Sequence, residues 1–519
     1  MRQEEIIFAE VPLEKFDLLS REELIIFARG EQSLRIQMQK EVDRLRAHHE
    51  ELKQKFFLME DQLVVVKGKI FGKSSEKSPV AEADDPMPKK KKAPKSRVQL
   101  PSERYPDATI IVRQVEFANL PSCNSCQREM KDSGMTEDSE FLTVIPQQYL
   151  IIRQQRHKYS CGNCHSCMKT APAPPRITPG SSYSDEMAID VSMAKYCDLI
   201  PVERYATIAK RAGIKDLPPQ SLIELSHNLA VFATPAYEML KLEIQRSKVL
   251  HADETPHRML EGATRQNWYL WGFSDLRACL FEIHATRSGS VASSVLIDSS
   301  CEHLMSDVFS GYGKSVRDVN EARAGQSRIK IQNIYCNAHA RRKFKEALDK
   351  FPDDAKFYID SYREIYHLES ESRGRELDEI SVLRSQMRKY FDAMKIRAMS
   401  DVAGYSSKSS IGKAMSYFLK NFDGFTLFLA NPELPIDNNS QERLLRSPVI
   451  GRKTWYGTHS ERGAKTAAIL FSLVESCKMN GVNPREYFKK LVQDLHFGRP
   501  AYTPSQFKDL PPKPPDPTG

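Results

Sequence analysis

The sequence lacks the features of membrane and secreted proteins. Its longest apolar run, at 467–474, is far too short to cross a bilayer. The N-terminal residues Met1-Arg2-Gln3-Glu4-Glu5 contain no apolar signal core. We therefore expect a soluble, cytoplasmic protein that has no membrane partner.

The sequence has little net charge, and half of its cysteines lie in one short segment. The formal net charge is only +8 in 519 residues, which alone argues weakly for a polyanionic partner. Five of the ten cysteines fall between Cys123 and Cys167. Because no secretory signal is recognised, this clustering favours metal binding over disulfides, with reduced thiols elsewhere.

Apolar residues recur in heptads from residue 38 to residue 66. One seam consists of Met38, Leu45, Leu52, Met59 and Val66. The pattern predicts a coiled coil of about four heptads, although a long helix packed on its own protein would give the same pattern. A linker rich in proline, lysine, aspartate and serine follows, and we expect it to be flexible.

Two Cys-x-x-Cys motifs come next, Cys123 with Cys126 and Cys161 with Cys164. Paired motifs at this separation predict one structural Zn²⁺ held by four thiolates in tetrahedral geometry. Alternative ligands nearby are His157, His165 and Cys167. We rank these below the four thiols, because the paired motifs already complete the coordination shell.

A helical region precedes the strands. Segments 202–212 and 218–229, joined at Gly213-Ile214, have the spacing of a helix–turn–helix. Two ordinary packed helices joined at a glycine have the same spacing. Both interpretations therefore stay open.

From residue 248 the pattern predicts three strands, a helix, a strand, a helix-like segment and a strand. Asp253 ends the first of these strands, and Asp307 directly follows the fourth. This order is that of a ribonuclease-H-like fold, whose central strands would place both aspartates at one edge of the sheet. Glu442 lies on a later predicted helix, beyond a long helical stretch that has the character of an insertion.

Carboxylates gathered in this way can hold two Mg²⁺ ions for attack on a phosphodiester. A single aspartate is more often a helix cap or a solvated loop residue, and Asp437 and Glu254 compete as ligands. His251 and His339 are more often packed or hydrogen-bonding histidines, and Trp455 suits either an unpaired base or the core. Basic residues beside the carboxylates predict a track for backbone phosphates. These are Arg341, Arg342, Lys343, Arg443, Arg446, Arg452 and Lys453.

Several motifs occur together in a fixed order. They are His251-Ala252-Asp253-Glu254-Thr255-Pro256, Ser306-Asp307 with Gly311-Tyr312, Cys336 with His339-Ala340-Arg341-Arg342-Lys343-Phe344, and Asp437-Asn438-Asn439 with Glu442-Arg443 and Gly451-Arg452-Lys453. By these motifs the chain resembles the DDE transposases of the insertion sequence 66 family. It departs from them at Asn337, where tryptophan is usual, and at Val308, where glycine is usual.

The resemblance implies a multidomain α/β protein with a ribonuclease-H-like catalytic domain, an all-α insertion and the triad Asp253, Asp307 and Glu442. The predicted segments are an N-terminal helical, coiled-coil arm (1–77), a flexible basic linker (78–105), a zinc-binding domain (106–170), a helical region with helix–turn–helix spacing (171–245), the catalytic domain (246–463) with its insertion at about 341–430, a C-terminal helical region (464–498) and a disordered tail (499–519).

The resulting hypothesis is a transposase that cuts and joins the ends of an insertion element. Two Mg²⁺ ions, with Mn²⁺ as a substitute, would serve the reaction, and one Zn²⁺ would be structural. The expected partners are double-stranded DNA at the element ends and the target, further copies of the chain, and accessory transposition proteins. Two alternatives remain: a catalytically inactive, zinc-containing DNA-binding protein, and a nuclease of the same fold that does not join ends.

Overall fold

The computed structural model describes residues 168–260, 267–326 and 328–509 without a break, together with shorter stretches from residue 20 to residue 160. The chain divides into two units, Met1–Val144 and Ile145–Gly519. Several predicted features lie outside the described residues: the zinc ligands Cys123, Cys126, Cys161 and Cys164, most of the heptad seam, the linker up to residue 99 and the part of the predicted tail from residue 510. The first part of that tail, 499–509, was predicted to be disordered but is ordered, with a helix at Pro504–Lys508 and a buried Thr503.

Two parts of the first unit are described as helical. Met38 and Val42 lie on helical backbone and are exposed. A helical turn spans Pro101–Arg104, and the Ser102 hydroxyl donates to Glu140 Oε1 at 2.9 Å. Self-association through the heptad seam stays a prediction.

The second unit contains a small hairpin and a larger mixed sheet. The hairpin strands are β1 (Lys158–Ser160) and β2 (Met168–Thr170). The strands of the larger sheet are β3 (Val249–Arg258), β4 (Asn267–Ser274), β5 (Cys279–His284), β6 (His303–Ser306) and β7 (Gln332–Tyr335). Their order is β5-β4-β3-β6-β7, antiparallel from β5 to β3 and parallel from β3 to β7.

The helices of the second unit surround this sheet. They are α1 (Asp185–Tyr196), α2 (Val202–Arg211), α3 (Pro219–Phe232), α4 (Thr234–Arg246), α5 (Ser290–Leu296), α6 (Ser310–Ala322), α7 (Asn337–Ala347), α8 (Pro352–Glu371), α9 (Leu377–Asp401), α10 (Ser410–Lys420), α11 (Phe422–Thr426), α12 (Asn439–Leu444), α13 (Arg446–Trp455), α14 (Glu461–Met479), α15 (Pro484–His496) and α16 (Pro504–Lys508). Short 3₁₀ turns span Val402–Gly404 and Leu427–Ala430. The predicted succession of strands and helices from residue 249 to α7 is present.

Neighbouring residues of β6 enter two different hydrophobic cores, because side chains alternate along a strand. On β6, Leu304 belongs to one core and Met305 to the other. The Leu304 core is shared with helices α1, α3, α4, α14 and α15. The Met305 core is formed with helices α7 to α11 of the predicted insertion.

The residues that form these cores do not follow the domain boundaries predicted from the sequence. The predicted helical region at 171–245 and the C-terminal region at 464–498 contribute Leu229, Leu240, Leu470 and Leu491 to the same core as the sheet residue Phe273. They therefore fold together with the sheet. Local pattern cannot reveal this, because an amphipathic helix does not specify which surface it covers.

Helices α2 and α3 match the predicted helix–turn–helix spacing, and Gly213 joins them with a φ of 94°. The apolar side of α3 packs against α1 and α14. Its outer side carries Glu224, which pairs with Arg462 of α14 at 2.6 Å. DNA reading by this helix stays a prediction. Among the described residues, no helix has the length and apolar character needed to span a membrane.

Candidate active site

Asp253 and Asp307 stand at corresponding positions along the neighbouring parallel strands β3 and β6. The prediction that the first strand ends at Asp253 is wrong, because β3 continues to Arg258 in antiparallel pairing with β4, whereas Asp307 directly follows β6 as predicted. In the β3–β6 pairing, His251 is opposite Met305. Asp253 and Asp307 each follow two residues later, so both continue the same face of the sheet. The predicted meeting of these two carboxylates at one sheet edge agrees with this register.

Glu442 reaches the two aspartates from α12, and Asn438 fixes the start of that helix. The Asn438 amide donates to the Ala252 carbonyl at 2.9 Å, and its backbone N–H donates to Cys336 Sγ at 3.2 Å. Asn438 Oδ1 lies 2.9 Å from His251 Nδ1. These contacts tie the helix that carries Glu442 to β3 and to the end of β7.

Close approach of α12 to the sheet also depends on a glycine. Gln441, the neighbour of Glu442, is fully buried beneath the sheet. A Cβ at Gly272 of β4 would overlap the Gln441 amide nitrogen. A glycine inside a strand is a sequence signal for such close approach, and Gly272 within the predicted strand is such a signal.

The three carboxylates influence one another electrostatically. Burial and the negative charges of Glu254, Asp307 and Glu442 together raise the pKa of Asp253 to about 8. The backbone N–H of Glu254, which donates to Asp253 Oδ1, offsets this rise only in part. A divalent ion at this position would supply the missing positive charge.

Glu442 has a buried oxygen without a hydrogen-bond partner. Its Oε1 atom is 3.7 Å from His339 Nδ1, and Oε2 is 3.9 Å from Arg342 Nη2, both beyond hydrogen-bonding distance. Cys336, His339 and Glu442 offer ligand atoms that all lie within 4.8 Å of one another. The donor set therefore fits a metal ion on the Glu442 side of the site.

The two competing carboxylates are satisfied by the protein. Glu254 accepts hydrogen bonds from the Tyr312 hydroxyl at 2.6 Å and from Arg287 Nε at 2.8 Å. Asp437 accepts from Tyr366 at 3.0 Å and from the Asn439 backbone at 3.1 Å. Both carboxylates hold neighbouring elements in place, which favours their predicted exclusion from the triad.

The structure assigns packing roles to other singled-out residues. Burial lowers the pKa of His251, which hydrogen-bonds to Asn438. Trp455 stacks on Phe471 with ring centroids 6.5 Å apart, so its ring belongs to the core. The departure Asn337 is buried and donates to the carbonyls of Phe425 at 3.0 Å and Ile436 at 3.1 Å. It thereby connects the insertion to the irregular segment that precedes Asn438.

The predicted basic residues differ in how they face the site. Arg452 Nη1 lies 3.4 Å from Thr255 Oγ1, two residues beyond Asp253 on the same face of β3. Arg342 is exposed beside Glu442. Arg341 and Lys343 lie over the rings of Tyr366 and Tyr417. The exposed members at α12 and α13 are Arg443, Arg446 and Lys453.

Sequence reasoning missed two supporting residues. Arg287 pairs with Glu254 and lies 4.2 Å from the Phe309 ring centroid. Tyr312 belongs to a motif whose pattern does not indicate its role, which is to donate a hydrogen bond from its hydroxyl to Glu254. No local signal connects Arg287 to residues so distant in the chain.

Two models of known protein families match this chain. A family model described as the IS66 family of transposases matches residues 180–466, and a model described as the zinc-finger binding domain of transposase IS66 matches residues 121–165. The second match spans the two Cys-x-x-Cys motifs.

Three curated relatives come from Sinorhizobium fredii (strain NBRC 101917 / NGR234). The uncharacterized protein y4hP is 25% identical over 75% of this chain and 73% of its own length. The uncharacterized protein y4jD is 25% identical over 73% of this chain and 75% of its own length. The uncharacterized protein y4qI is 27% identical over 70% of this chain and 69% of its own length. Because the transposase model covers more than half of the 519 residues, the chain belongs to the IS66 family of DDE transposases.

Proposed function

We propose that this transposase cuts and joins the ends of an insertion element, with Asp253, Asp307 and Glu442 as its catalytic carboxylates. Family membership supports the reaction class. The observation that carries the residue assignment is that Asp307 and Glu442 lie close enough to Asp253 to raise its pKa, and that Glu442 Oε1 is buried without a hydrogen-bond partner. The two competing carboxylates, Glu254 and Asp437, have hydrogen-bond partners in the protein.

Asp253, Asp307 and Glu442 would hold two Mg²⁺ ions, for which Mn²⁺ is a substitute. When bound, such ions supply Lewis-acid activation of water or a DNA 3′-hydroxyl and stabilise the leaving oxygen. Because the ions carry this chemistry, no serine or tyrosine nucleophile is assigned. The protein's own contribution is to fix the carboxylates through the sheet register and through Asn438.

The positive residues around the triad suit the phosphate backbone. Arg452 and Arg342 flank the carboxylates on two sides. Together with Arg341, Lys343 and the basic residues of α12 and α13, they would contact phosphates and position the duplex. The proposed partner is therefore double-stranded DNA, at the element ends and at the target.

We also propose one structural Zn²⁺ on Cys123, Cys126, Cys161 and Cys164, which the zinc-finger family match supports. Metal analysis of the purified protein tests this. We expect about one zinc per chain, and its loss in a variant carrying Cys161→Ser and Cys164→Ser. Association with further copies and with accessory proteins remains part of the proposal.

The reaction is tested with a labelled duplex that carries the element's end. We expect the wild-type protein to cleave it when Mg²⁺ or Mn²⁺ is present and to transfer the cut end into a second duplex. Cleavage without transfer would favour a non-joining nuclease. Binding without cleavage, under the same metal conditions, would favour an inactive DNA-binding protein.

A further inference from the structure

His339 occupies an unusual position for a histidine outside the predicted triad. It lies in the first turn of α7, which begins directly after β7, the strand beside the one that leads to Asp307. Asn337, in the same turn, is anchored to Phe425 and Ile436. The backbone that carries His339 is therefore fixed relative to the segment that leads into α12.

His339 Nδ1 and Glu442 Oε1 face each other without making a hydrogen bond. They are 3.7 Å apart, and each atom is buried without a hydrogen-bond partner. A buried nitrogen and a buried carboxylate oxygen left unsatisfied in this way normally have an explanation, such as a bound ion. Two ligand atoms that are each about 2.0–2.2 Å from one ion lie roughly 3–4 Å apart, which matches this separation.

We propose that His339, through Nδ1, is a ligand of the divalent ion that Glu442 holds. The inference rests on the proposed function and extends its ligand set from three carboxylates to three carboxylates and one imidazole. Mn²⁺ accepts an imidazole ligand more readily than Mg²⁺ does, because Mg²⁺ is held almost entirely by oxygen ligands. His339 would therefore raise the affinity of this position for Mn²⁺, the substitute ion of the proposed function, more than its affinity for Mg²⁺.

Cys336 and Arg342 are not part of this ligand set. Cys336 Sγ accepts the Asn438 backbone N–H at 3.2 Å and is buried in the core formed with the insertion. Its role is to hold the start of α12. Arg342 faces the other oxygen of Glu442, at 3.9 Å from Oε2, and leaves Oε1 to the ion.

The test is pulsed electron paramagnetic resonance of the full chain loaded with zinc and then with Mn²⁺ alone. A histidine nitrogen bound directly to Mn²⁺ produces a ¹⁴N coupling, whereas a histidine that only orients Glu442 does not. We expect this coupling in the wild-type protein and its loss in His339→Gln, with Mn²⁺ affinity lowered about tenfold or more. Affinity for Mg²⁺ should fall less.

His367→Gln is the matched control. His367 also faces a glutamate, with Nε2 3.4 Å from Glu371 Oε1, but lies exposed on α8. This variant should keep both the coupling and the affinity. Mn²⁺ bound in an Asp253-dependent way without nitrogen coupling, or coupling that survives His339→Gln, would overturn the inference and leave the proposed function intact. Mn²⁺ binding that is unaffected by both Asp253→Asn and Glu442→Gln would overturn the proposed function as well.

Discussion

Asp253 and Glu254 are neighbours on β3, but they lie on opposite faces of the sheet and have different electrostatic surroundings. Glu254 points to the face where Tyr312 and Arg287 donate to its carboxylate, and its side chain is only 1% exposed. Asp253 points to the other face, and the negative charges of Glu254, Asp307 and Glu442 all raise its pKa. The first arrangement uses an acidic residue to join elements. The second keeps unfavourable charge together, which a protein tolerates where a cation binds.

The difference follows from strand geometry. Successive side chains alternate between faces, so adjacent carboxylates meet different environments without any difference in backbone conformation. Leu304 and Tyr312 lie on one face of the sheet. Met305 and Asp307 lie on the other face, which Glu442 approaches. The comparison teaches that a carboxylate's partners, and not its position in a motif, indicate its role.

The largest expected effect is on cleavage. Asp253→Asn, Asp307→Asn and Glu442→Gln should each reduce Mg²⁺-dependent cutting by about 10³-fold or more, since several kcal/mol of charge stabilisation is lost. Because the three act as a unit, a double variant should be little worse than a single one. The matched amide replacements Glu254→Gln and Asp437→Asn should retain substantial activity. Duplex cleavage measured beside circular dichroism separates lost chemistry from lost folding.

A specific pair of results would break the comparison. If Glu442→Gln still cut the duplex and Asp437→Asn did not, the third ligand would be Asp437. The hydrogen bonds from Tyr366 and Asn439 to Asp437 would then have to rearrange when the ion binds.

The next effect is metal-linked stability. An ion that binds only the folded protein raises its unfolding free energy by about 2.7 kcal/mol at one hundred times the dissociation constant. Mn²⁺ should therefore raise the melting temperature of the wild-type protein and of Glu254→Gln, but hardly that of Asp253→Asn. Calorimetry of zinc-loaded protein keeps the proposed zinc domain constant. An equal rise in all three would show that the ion binds elsewhere.

Without Mn²⁺ or Mg²⁺, the same two substitutions should change the unfolding free energy by different amounts. Burial and like charges raise the pKa of Asp253 to about 8, so its ionisation in the folded protein costs free energy as pH rises from about 4 to about 8. Below pH 4 the group is protonated in both states and the cost is absent. Asp253→Asn should thus stabilise the apo protein by about 1–2 kcal/mol at pH 8, and hardly at pH 4.

Glu254→Gln provides the contrast. Burial raises the pKa of Glu254, although the hydrogen bonds from Tyr312 and Arg287 oppose this shift. The amide keeps the size and one acceptor but loses the charge that attracts Arg287, whose side chain is half exposed. At pH 8 the amide removes the cost of ionising a carboxyl whose pKa is raised but also weakens the contacts with Tyr312 and Arg287, so the two effects oppose each other. We therefore expect a smaller change in unfolding free energy for Glu254→Gln than for Asp253→Asn. Urea unfolding at both pH values measures these changes, and equal stabilisation by both variants at pH 8 would contradict the comparison.

The sequence predicted the succession of strands and helices along the catalytic region, and the triad remains a proposal. Short apolar runs before Asp253 and Asp307 indicate strands, and the parallel register of those strands gives the two residues corresponding positions. It was insufficient for the partners of these residues. Arg287, Asn438 and His339 act through contacts between elements that are far apart in the chain, and no periodicity encodes such contacts.

Domain boundaries were harder to predict than elements. The sequence predicted α1, α3, α4, α14 and α15 as helices, and in the structure these five helices share one core with the sheet. An apolar stripe shows that a helix is buried and leaves its partner unspecified. The insertion was easier, because its many successive helices form a second core of their own with β6 and β7.

The smallest expected effect concerns the charge that borders the carboxylates. Arg452 lies beside Thr255, on the same face of β3 as Asp253. Burial lowers the pKa of its guanidinium, which shows that the charged group is poorly solvated. A bound phosphate would stabilise that charge. Arg452→Gln should weaken binding of all duplexes about equally and lower the salt slope of binding by about one unit. Arg363→Gln is the control, because this exposed arginine already pairs with Asp360 at 2.6 Å on α8. Fluorescence anisotropy over a range of salt concentrations gives both slopes. A change in sequence preference with an unaltered slope would mean that Arg452 contacts a base, and the positive rim would then contribute to recognition as well as to positioning.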